Sequence, residues 1–158
     1  MLIKDVLQEL KFAPESGYTI KWGAEYPDGE VQATAFLKNG EIRILFEPVY
    51  TYEDGSRATH IWFNRNHKIS ITGEGDQVAI LSTVVTSIKE YVKSRPYVKY
   101  LIFTAEESSR AKLYKRMVRK LSQEAGWNEV SLQALPLSKN NRPVFIPRDY
   151  RVFVLKRN

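Results

Sequence analysis

The sequence contains no cysteine, and only two of its 158 residues are histidines. The missing cysteines exclude disulfide bonds, thiolate zinc ligands and a cysteine nucleophile. Neither histidine, His60 or His67, has an acidic residue nearby at the spacing of a metal-binding motif. The GxSxG, P-loop and HExxH motifs of serine hydrolases, nucleotide-binding proteins and zinc proteases are also missing. We therefore expect no metal site and none of these chemistries.

Long hydrophobic runs are absent as well. No stretch of about 18 apolar residues occurs, so the sequence predicts no membrane span. The first residues, MLIKDVLQELKF, are too polar for a secretory signal peptide. What is present is 43% hydrophobic and 27% charged residues, a composition typical of a soluble globular protein with a sizeable core. We expect one cytoplasmic domain that spans residues 1–158.

Charge is unevenly distributed along the chain. Residues 1–60 contain six Lys or Arg and ten Asp or Glu, a net charge of −4, whereas residues 61–158 contain 18 and eight, a net charge of +10. A basic half favours an anionic partner, such as nucleic acid, a phosphorylated cofactor or an acidic protein face. The alternative is a solvated basic surface without a partner.

The spacing of hydrophobic residues changes from one half of the chain to the other. The first half has short β-rich segments separated by turn signals such as Asn39-Gly40, which is typical of an antiparallel meander. The second half contains a strand–helix–strand segment, which requires a right-handed crossover and a locally parallel pair. We predict an α/β (α+β) domain with a mixed, mostly antiparallel sheet flanked by about three helices. The predicted strands are 17–22, 32–37, 41–46, 60–64, 68–72, 98–103, 128–135 and 150–155, and the predicted helices are 2–11, 76–94 and 109–125.

A glycine turn joins a predicted strand to a predicted helix in ISITGEGDQVAILSTVV, residues 69–85. One interpretation is a phosphate cradle formed by the backbone amides of Gly73, Gly75 and Gln77. The other is a tight turn at the two glycines, with Asp76 as the N-cap or a first-turn residue of the helix. The charges of Glu74 and Asp76 favour the second interpretation. One carboxylate about 4 Å from a phosphate costs roughly 4 kcal/mol at an effective dielectric of 20, whereas a helix start contributes only about 0.3–2 kcal/mol.

A second segment, FTAEESSRAKLYKRM, follows a predicted buried strand. Its Tyr114 has two interpretations. It is either a general acid within reach of a bound ligand or an aromatic residue of the core, at helical spacing with Met117, Val118 and Leu121.

In element order, these two segments resemble the GCN5-related N-acetyltransferase (GNAT) family. The resemblance implies that the glycine turn holds the acetyl-CoA pyrophosphate, that the fourth and fifth strands, at 69–72 and 98–103, splay apart to admit CoA, and that Tyr114 protonates the departing thiolate. Leu113 and Tyr114 match the Leu-Tyr positions of the family motif, whereas Glu107 and Arg110 replace its asparagine and alanine. The chain is then either an active acyl-CoA-dependent N-acyltransferase or a degenerate member that uses no cofactor.

The outer face of the same predicted helix is strongly basic. Like charges at i,i+4 destabilise a helix by about 0.2–0.5 kcal/mol per pair, so this face either serves a partner or is a tolerated solvated surface. The basic residues are Arg110, Lys112, Lys115, Arg116, Arg119 and Lys120.

The same two segments also resemble uncharacterised bacteriophage and prophage proteins, which implies a phage-encoded protein in the host cytoplasm. Three functions remain open. The changed motif positions favour a degenerate GNAT-like protein that binds a host protein or nucleic acid through its basic helix. The alternatives are an active N-acyltransferase that uses acetyl-CoA and a structural or virion-associated component.

Overall fold

A computed structural model of the protein describes residues 19–37, 40–65, 74–106, 109–135 and 150–158. These residues form seven β-strands, two α-helices and one short 3-10 helix. In chain order the elements are β1 (Thr19–Trp22), β2 (Val31–Leu37), β3 (Gly40–Thr51), β4 (Arg57–Arg65), α1 (Glu74–Lys93), β5 (Val98–Glu106), α2 (Ser109–Glu124), β6 (Trp127–Val130), the 3-10 helix (Leu132–Ala134) and β7 (Tyr150–Arg157).

All seven strands belong to one sheet, in the order β1-β2-β3-β4-β5-β7-β6. Neighbouring strands are antiparallel except β4 and β5, which are parallel and are connected through α1. A parallel pair needs such a crossover because a tight turn cannot join strands that run in the same direction. The predicted mixed, mostly antiparallel α+β fold is confirmed. The predicted helix at 2–11 and the predicted strand at 68–72 lie outside the described residues.

Helix α1 begins earlier than predicted, at Glu74. Gly75 therefore lies in the first helical turn, so the predicted turn at Gly75 is wrong, and Asp76 is a first-turn residue, which was one of its two predicted positions, and not the N-cap. A glycine in the first turn costs less than the about 1 kcal/mol of a helix interior, because the first amides have no intrahelical partner in any case.

The two helix ends follow the local sequence. α1 ends at Lys93, shortly before Pro96, as predicted. α2 ends at Glu124, and Gly126 follows with a φ of 70°, the left-handed conformation in which a helix commonly stops. Neither helix of the described ranges is long and apolar enough to cross a membrane.

Two strand boundaries differ from the sequence-based expectation. β3 extends to Thr51 instead of ending at Phe46, and its pairing with β4 shifts between Pro48 and Tyr50. Such a bulge accommodates a proline, which lacks the N–H that a regular ladder needs. The predicted strand at 128–135 is shorter, because β6 ends at Val130 and a 3-10 helix follows.

The main core lies on the side of the sheet that α1 and α2 cover, which we call the helical face. Ile44, Phe46, Ile61 and Phe103 point to this face from three neighbouring strands and are fully buried. Tyr91 of α1 stacks on Phe46, with 4.2 Å between the ring centroids. Alternate residues of each strand therefore share one core, as the pleat of a sheet requires.

The other side of the sheet, which we call the opposite face, carries a smaller apolar cluster. Its buried members are Ala58, Tyr100, Ile102, Leu135 and Val154. Two large side chains of this face, Phe36 on β2 and Trp62 on β4, are each 40% exposed. These two aromatic side chains of the opposite face are thus only partly covered by the described residues.

Candidate functional site

The parallel pairing of β4 with β5 stops before either strand ends. Its last residue pair is Ile61 with Phe103. β4 nevertheless continues to Arg65, and β5 continues to Glu106. The two strands therefore separate at their carboxyl ends and leave a gap between Trp62–Arg65 and Thr104–Glu106.

Each side of this gap is a strand edge. Among the described residues, Trp62–Arg65 pair with β3 alone, and Thr104–Glu106 pair with β7 alone. Backbone N–H and C=O groups alternate between the two sides of a strand. Those that point into the gap therefore have no strand partner among the described residues. Such an edge binds an extended chain that carries amide groups.

Both helices begin at the end of the sheet where the gap opens. The last turns of α1 lie beside the start of β4, because the Tyr91 hydroxyl is 3.2 Å from Thr59 Oγ1. At about 1.5 Å per residue, the helix runs back towards the carboxyl end of β4, so that Glu74 lies at the gap end. α2 starts at Ser109, directly after β5. Two helix starts, each with free amides and a positive dipole end, thus lie at the mouth of the gap.

A side-chain hydrogen bond spans the gap at its closed end. His60 Nε2 of β4 lies 3.0 Å from Thr104 Oγ1 of β5. Thr104 is the first residue of β5 beyond the last backbone pair, so the bond joins the two strands where their ladder ends. The residues next to His60 point to the helical face, which places His60 and Thr104 on the opposite face.

Burial keeps the His60 side chain neutral. It lowers the pKa of His60 from 6.5 to about 4, because the imidazolium would lose its hydration. Glu47 is directly opposite His60 in the pairing of β3 with β4. Burial, with the charges of Glu47 and Asp28, raises the pKa of Glu30 at the start of β2. The imidazole is therefore unprotonated at neutral pH, and burial also makes it a weaker base than an exposed histidine.

Tyr114 lies against the same point of the sheet from the helical face. Its side chain is 2% exposed, and its ring centroid is 5.9 Å from that of Phe103 and 6.3 Å from that of Phe153. This is the core position that helical spacing predicts. Phe103 belongs to the last pair of the ladder, so Tyr114 is next to the closed end of the gap. A proton-donor role for Tyr114 stays a prediction.

The other predicted site residues fall in two places. Gly75 and Gln77 lie in the first turns of α1, at the mouth of the gap, and Gly73 lies outside the described residues. The basic residues lie along α2: Lys115, Arg116 and Arg119 are exposed, Lys120 is 3.8 Å from Glu124, and Arg110 and Lys112 belong to the first turn of the helix.

Sequence reasoning missed His60 and Thr104 as site residues. In HIWFN, His60 is an ordinary polar residue of a strand in which polar and apolar residues alternate. Only its position at the end of the β4–β5 pairing sets it apart from other polar strand residues. No group of three His, Cys, Asp or Glu side chains in the described ranges is arranged to hold a metal ion.

One family comparison covers all the elements of the site. Residues 58–158 match the family model described as "Family of unknown function (DUF6934)". The chain belongs to this family. The match begins at Ala58 in β4 and includes both sides of the gap, α1 and α2. The family region therefore contains the gap, whereas β1, β2 and β3 precede it.

Several solved structures are similar to this chain at low sequence identity. An acetyltransferase from Streptococcus agalactiae 2603 is 12% identical, with 96% of this chain and 74% of that chain covered and a TM-score of 0.46. RimL, a ribosomal α-N-protein acetyltransferase in complex with coenzyme A, is 12% identical, with 98% and 70% covered and a TM-score of 0.41. An acetyltransferase of the GNAT family from Streptococcus pneumoniae is 11% identical, with 81% and 65% covered and a TM-score of 0.41. No curated protein matches the sequence.

Proposed function

We propose that the protein binds an acyl-CoA in the gap between β4 and β5 and transfers the acyl group to an amine. The observation that carries this proposal is the early end of the β4–β5 ladder at Ile61 and Phe103. The GNAT-like segments of the sequence add support, because that family separates its fourth and fifth strands to admit CoA. The end of the pairing distinguishes this function from a purely structural sheet, in which the ladder would continue to Arg65 and Glu106.

The gap offers different groups to the two parts of a CoA molecule. The pantetheine arm is an extended chain with amide groups. These match the backbone groups that point into the gap from Trp62–Arg65 and Thr104–Glu106 and have no strand partner in the described ranges. The pyrophosphate matches the free amides at the start of α1, including that of Gly75. Glu74 and Asp76 oppose this binding, so the proposal requires that both carboxylates turn away from the phosphates.

The chemistry requires a proton for the departing sulfur. When bound, acyl-CoA supplies an activated thioester, and its leaving group is a thiolate. Tyr114 is the candidate donor of that proton, because its ring packs on Phe103 at the closed end of the gap. This role requires the phenol hydroxyl to reach the gap from the helical face.

Thermal stability tests the proposal directly. Acetyl-CoA at 100-fold excess over its Kd is expected to raise the free energy of unfolding by about 2.7 kcal/mol, seen as a higher Tm. Thr104→Trp places an indole at the closed end of the gap and is expected to abolish the increase. Thr34→Trp adds the same side chain to the opposite face of β2, away from the gap, and is expected to preserve it.

Two results would contradict the proposal. One is an unchanged Tm of the wild-type protein in millimolar acetyl-CoA. The other is an increase that persists in folded Thr104→Trp protein, because the ligand would then bind elsewhere. Circular dichroism of both tryptophan variants establishes that they are folded before the ligand is added.

A second candidate function rests on the basic face of α2. Lys115, Arg116 and Arg119 are exposed there, and their charges are free to meet phosphates. We propose, as this alternative, that the face binds nucleic acid, which in a phage-encoded protein would include that of the host. Fluorescence anisotropy with a labelled DNA duplex is expected to show binding that weakens steeply with salt. The same experiment on a variant with all three residues changed to Glu should show no binding, and equal binding would refute the alternative.

A further inference from the structure

We propose that His60 accepts the proton of the attacking amine during acyl transfer and that Thr104 positions its imidazole ring. This inference rests on the proposed function and adds a catalytic residue to it. It starts from a side-chain hydrogen bond that joins β4 to β5 at the closed end of the gap, with 3.0 Å between His60 Nε2 and Thr104 Oγ1.

The direction of the ligand in the gap follows from the positions of the helix starts. Phosphates bind at the mouth, where α1 and α2 begin, so the acyl end points towards the closed end. The four residues Trp62–Arg65 span about 13 Å, enough for an extended arm to lie between the strands. The arm cannot pass the pair of Ile61 with Phe103, where backbone bonds resume. The thioester therefore meets His60 and Thr104.

The hydrogen bond to Thr104 leaves one nitrogen of the imidazole to act as the proton acceptor. Its Nε2 is engaged by Thr104, and the described residues offer Nδ1 no hydrogen-bond partner. A hydrogen bond at one ring nitrogen fixes the ring orientation and the role of the other nitrogen. Burial keeps the ring neutral at pH 7 but also disfavours the imidazolium, so the proton transfer requires a negative charge, such as that of Glu47 opposite His60, to offset this cost. One nitrogen is thus held and the other is available to a substrate on the opposite face.

The transfer step balances with two residues of this chain. The amine nitrogen bonds to the acyl carbon, and the carbon–sulfur bond breaks. The proton that the amine loses goes to His60, and the electron pair of the broken bond goes to sulfur. The thiolate takes a proton from Tyr114 on the helical face, and solvent restores both residues. Proton removal and proton donation thus take place on opposite faces of the sheet.

A purely structural role for His60 would give different behaviour. A histidine that only joined the two strands would contribute to stability and would be indifferent to bound acyl-CoA. The proposed role predicts that the ligand covers the ring and that the ring is needed for the reaction beyond the binding step. Chemical modification and kinetics separate these roles.

Chemical modification locates His60 relative to the ligand. His67→Gln leaves His60 as the single histidine of the chain. Diethyl pyrocarbonate modifies neutral imidazole, and mass spectrometry of the peptide that contains His60 reports the extent. We expect acetyl-CoA to slow the modification at least about 10-fold at saturation, and adenosine 3′,5′-bisphosphate, which lacks the arm, to leave it unchanged. Acetyl-CoA that raises the Tm without slowing the modification would overturn the inference and leave acyl-CoA binding intact.

Kinetics test the proton transfer. CoA release from acetyl-CoA with hydroxylamine as the amine probe is expected to fall about 10²–10⁴-fold in His60→Gln, with the acetyl-CoA-induced Tm shift retained. Thr104→Val should lower the rate less, mainly in kcat, and Thr34→Val is the matched control with the rate of wild type. Should His60→Gln misfold, His60→Asn provides a second amide.

Two kinetic outcomes would contradict different claims. A wild-type rate in His60→Gln that still binds acetyl-CoA would remove His60 from the reaction. Absence of catalysis by wild-type protein that binds acetyl-CoA would contradict acyl transfer itself, together with the role of His60 in it.

Discussion

Two consecutive residues of β4 show how differently the two faces of the sheet are built. Thr59 points to the helical face and is within hydrogen-bond distance of the Tyr91 hydroxyl, with both side chains fully buried. His60 points to the opposite face and is bonded to Thr104 at the end of a ladder. The Thr59–Tyr91 pair connects α1 to the sheet. The His60–Thr104 pair connects β4 to β5 next to the point where the two strands separate. Their partners, and not their residue types, distinguish a structural pair from a candidate site.

The aromatic residues repeat this difference. On the helical face, Phe46 is fully buried between Trp22 and Tyr91, with centroid distances of 5.5 and 4.2 Å. On the opposite face, Trp62 at the edge of the gap is 40% exposed. The helical face is therefore expected to determine stability, and the opposite face is expected to determine ligand binding.

The largest expected loss of stability comes from a substitution in the core of the helical face. Phe46→Ala removes a fully buried ring and is expected to lower the free energy of unfolding by about 3–5 kcal/mol. Trp62→Ala on the opposite face should lower it by less than about 1 kcal/mol, because the side chain is already partly hydrated. Urea unfolding of both variants measures the contrast. Equal losses would show that the two faces contribute alike.

The second expected effect is a loss of stability at acidic pH. Because the pKa of His60 is lowered from 6.5 to about 4 in the folded protein, the unfolded chain binds more protons between these pH values. The contribution of His60 to the free energy of unfolding is fully present above pH 6.5 and decreases as the pH falls towards 4. The loss is roughly 2–3 kcal/mol at pH 4.5.

His60→Gln isolates this contribution from the titration of carboxylates. The free energy of unfolding of wild type minus that of the variant, measured in urea from pH 7.5 down to pH 4.5, should become smaller as the pH falls. A difference that stays constant with pH would mean that His60 titrates normally, with Glu47 across the strand pair offsetting its burial.

The smallest expected effect compares the two hydroxyl pairs. Thr59→Val leaves the buried Tyr91 hydroxyl without its partner and is expected to cost about 1–3 kcal/mol. Thr104→Val should cost less than about 1 kcal/mol, because His60 is only partly buried and water can replace the lost bond. Thermal unfolding of the two isosteric variants measures both losses, and a larger loss for Thr104→Val would reverse the assignment of roles.

The sequence predicted local structure better than pairing. The alternation of apolar and polar residues predicted β2 and β7. Pro96 predicted the end of α1, and Gly126 predicted the end of α2. Each of these features is set by a few neighbouring residues. The start of α1 at Glu74 was missed because a glycine at the next position suggests a turn, although a first helical turn tolerates one.

The candidate site was only partly predictable. Periodicity indicated a parallel pair and a helix that starts beside it, and hence the general location. It gave no information on how far β4 and β5 pair, because the end of a ladder depends on the twist and partners of both strands. His60 and Thr104 are 44 positions apart, and only that pairing brings them together.

The gap also changes how many strand edges the sheet has. Unpaired edges are templates for association with other chains, and proteins limit them by making edge strands short. The two outer strands of the described sheet, β1 and β6, have four residues each. The two inner edges face each other within one molecule, so a strand from a second molecule would have to enter between β4 and β5. Under the proposed function, these inner edges serve a slender ligand, whereas the short outer strands offer little to self-association.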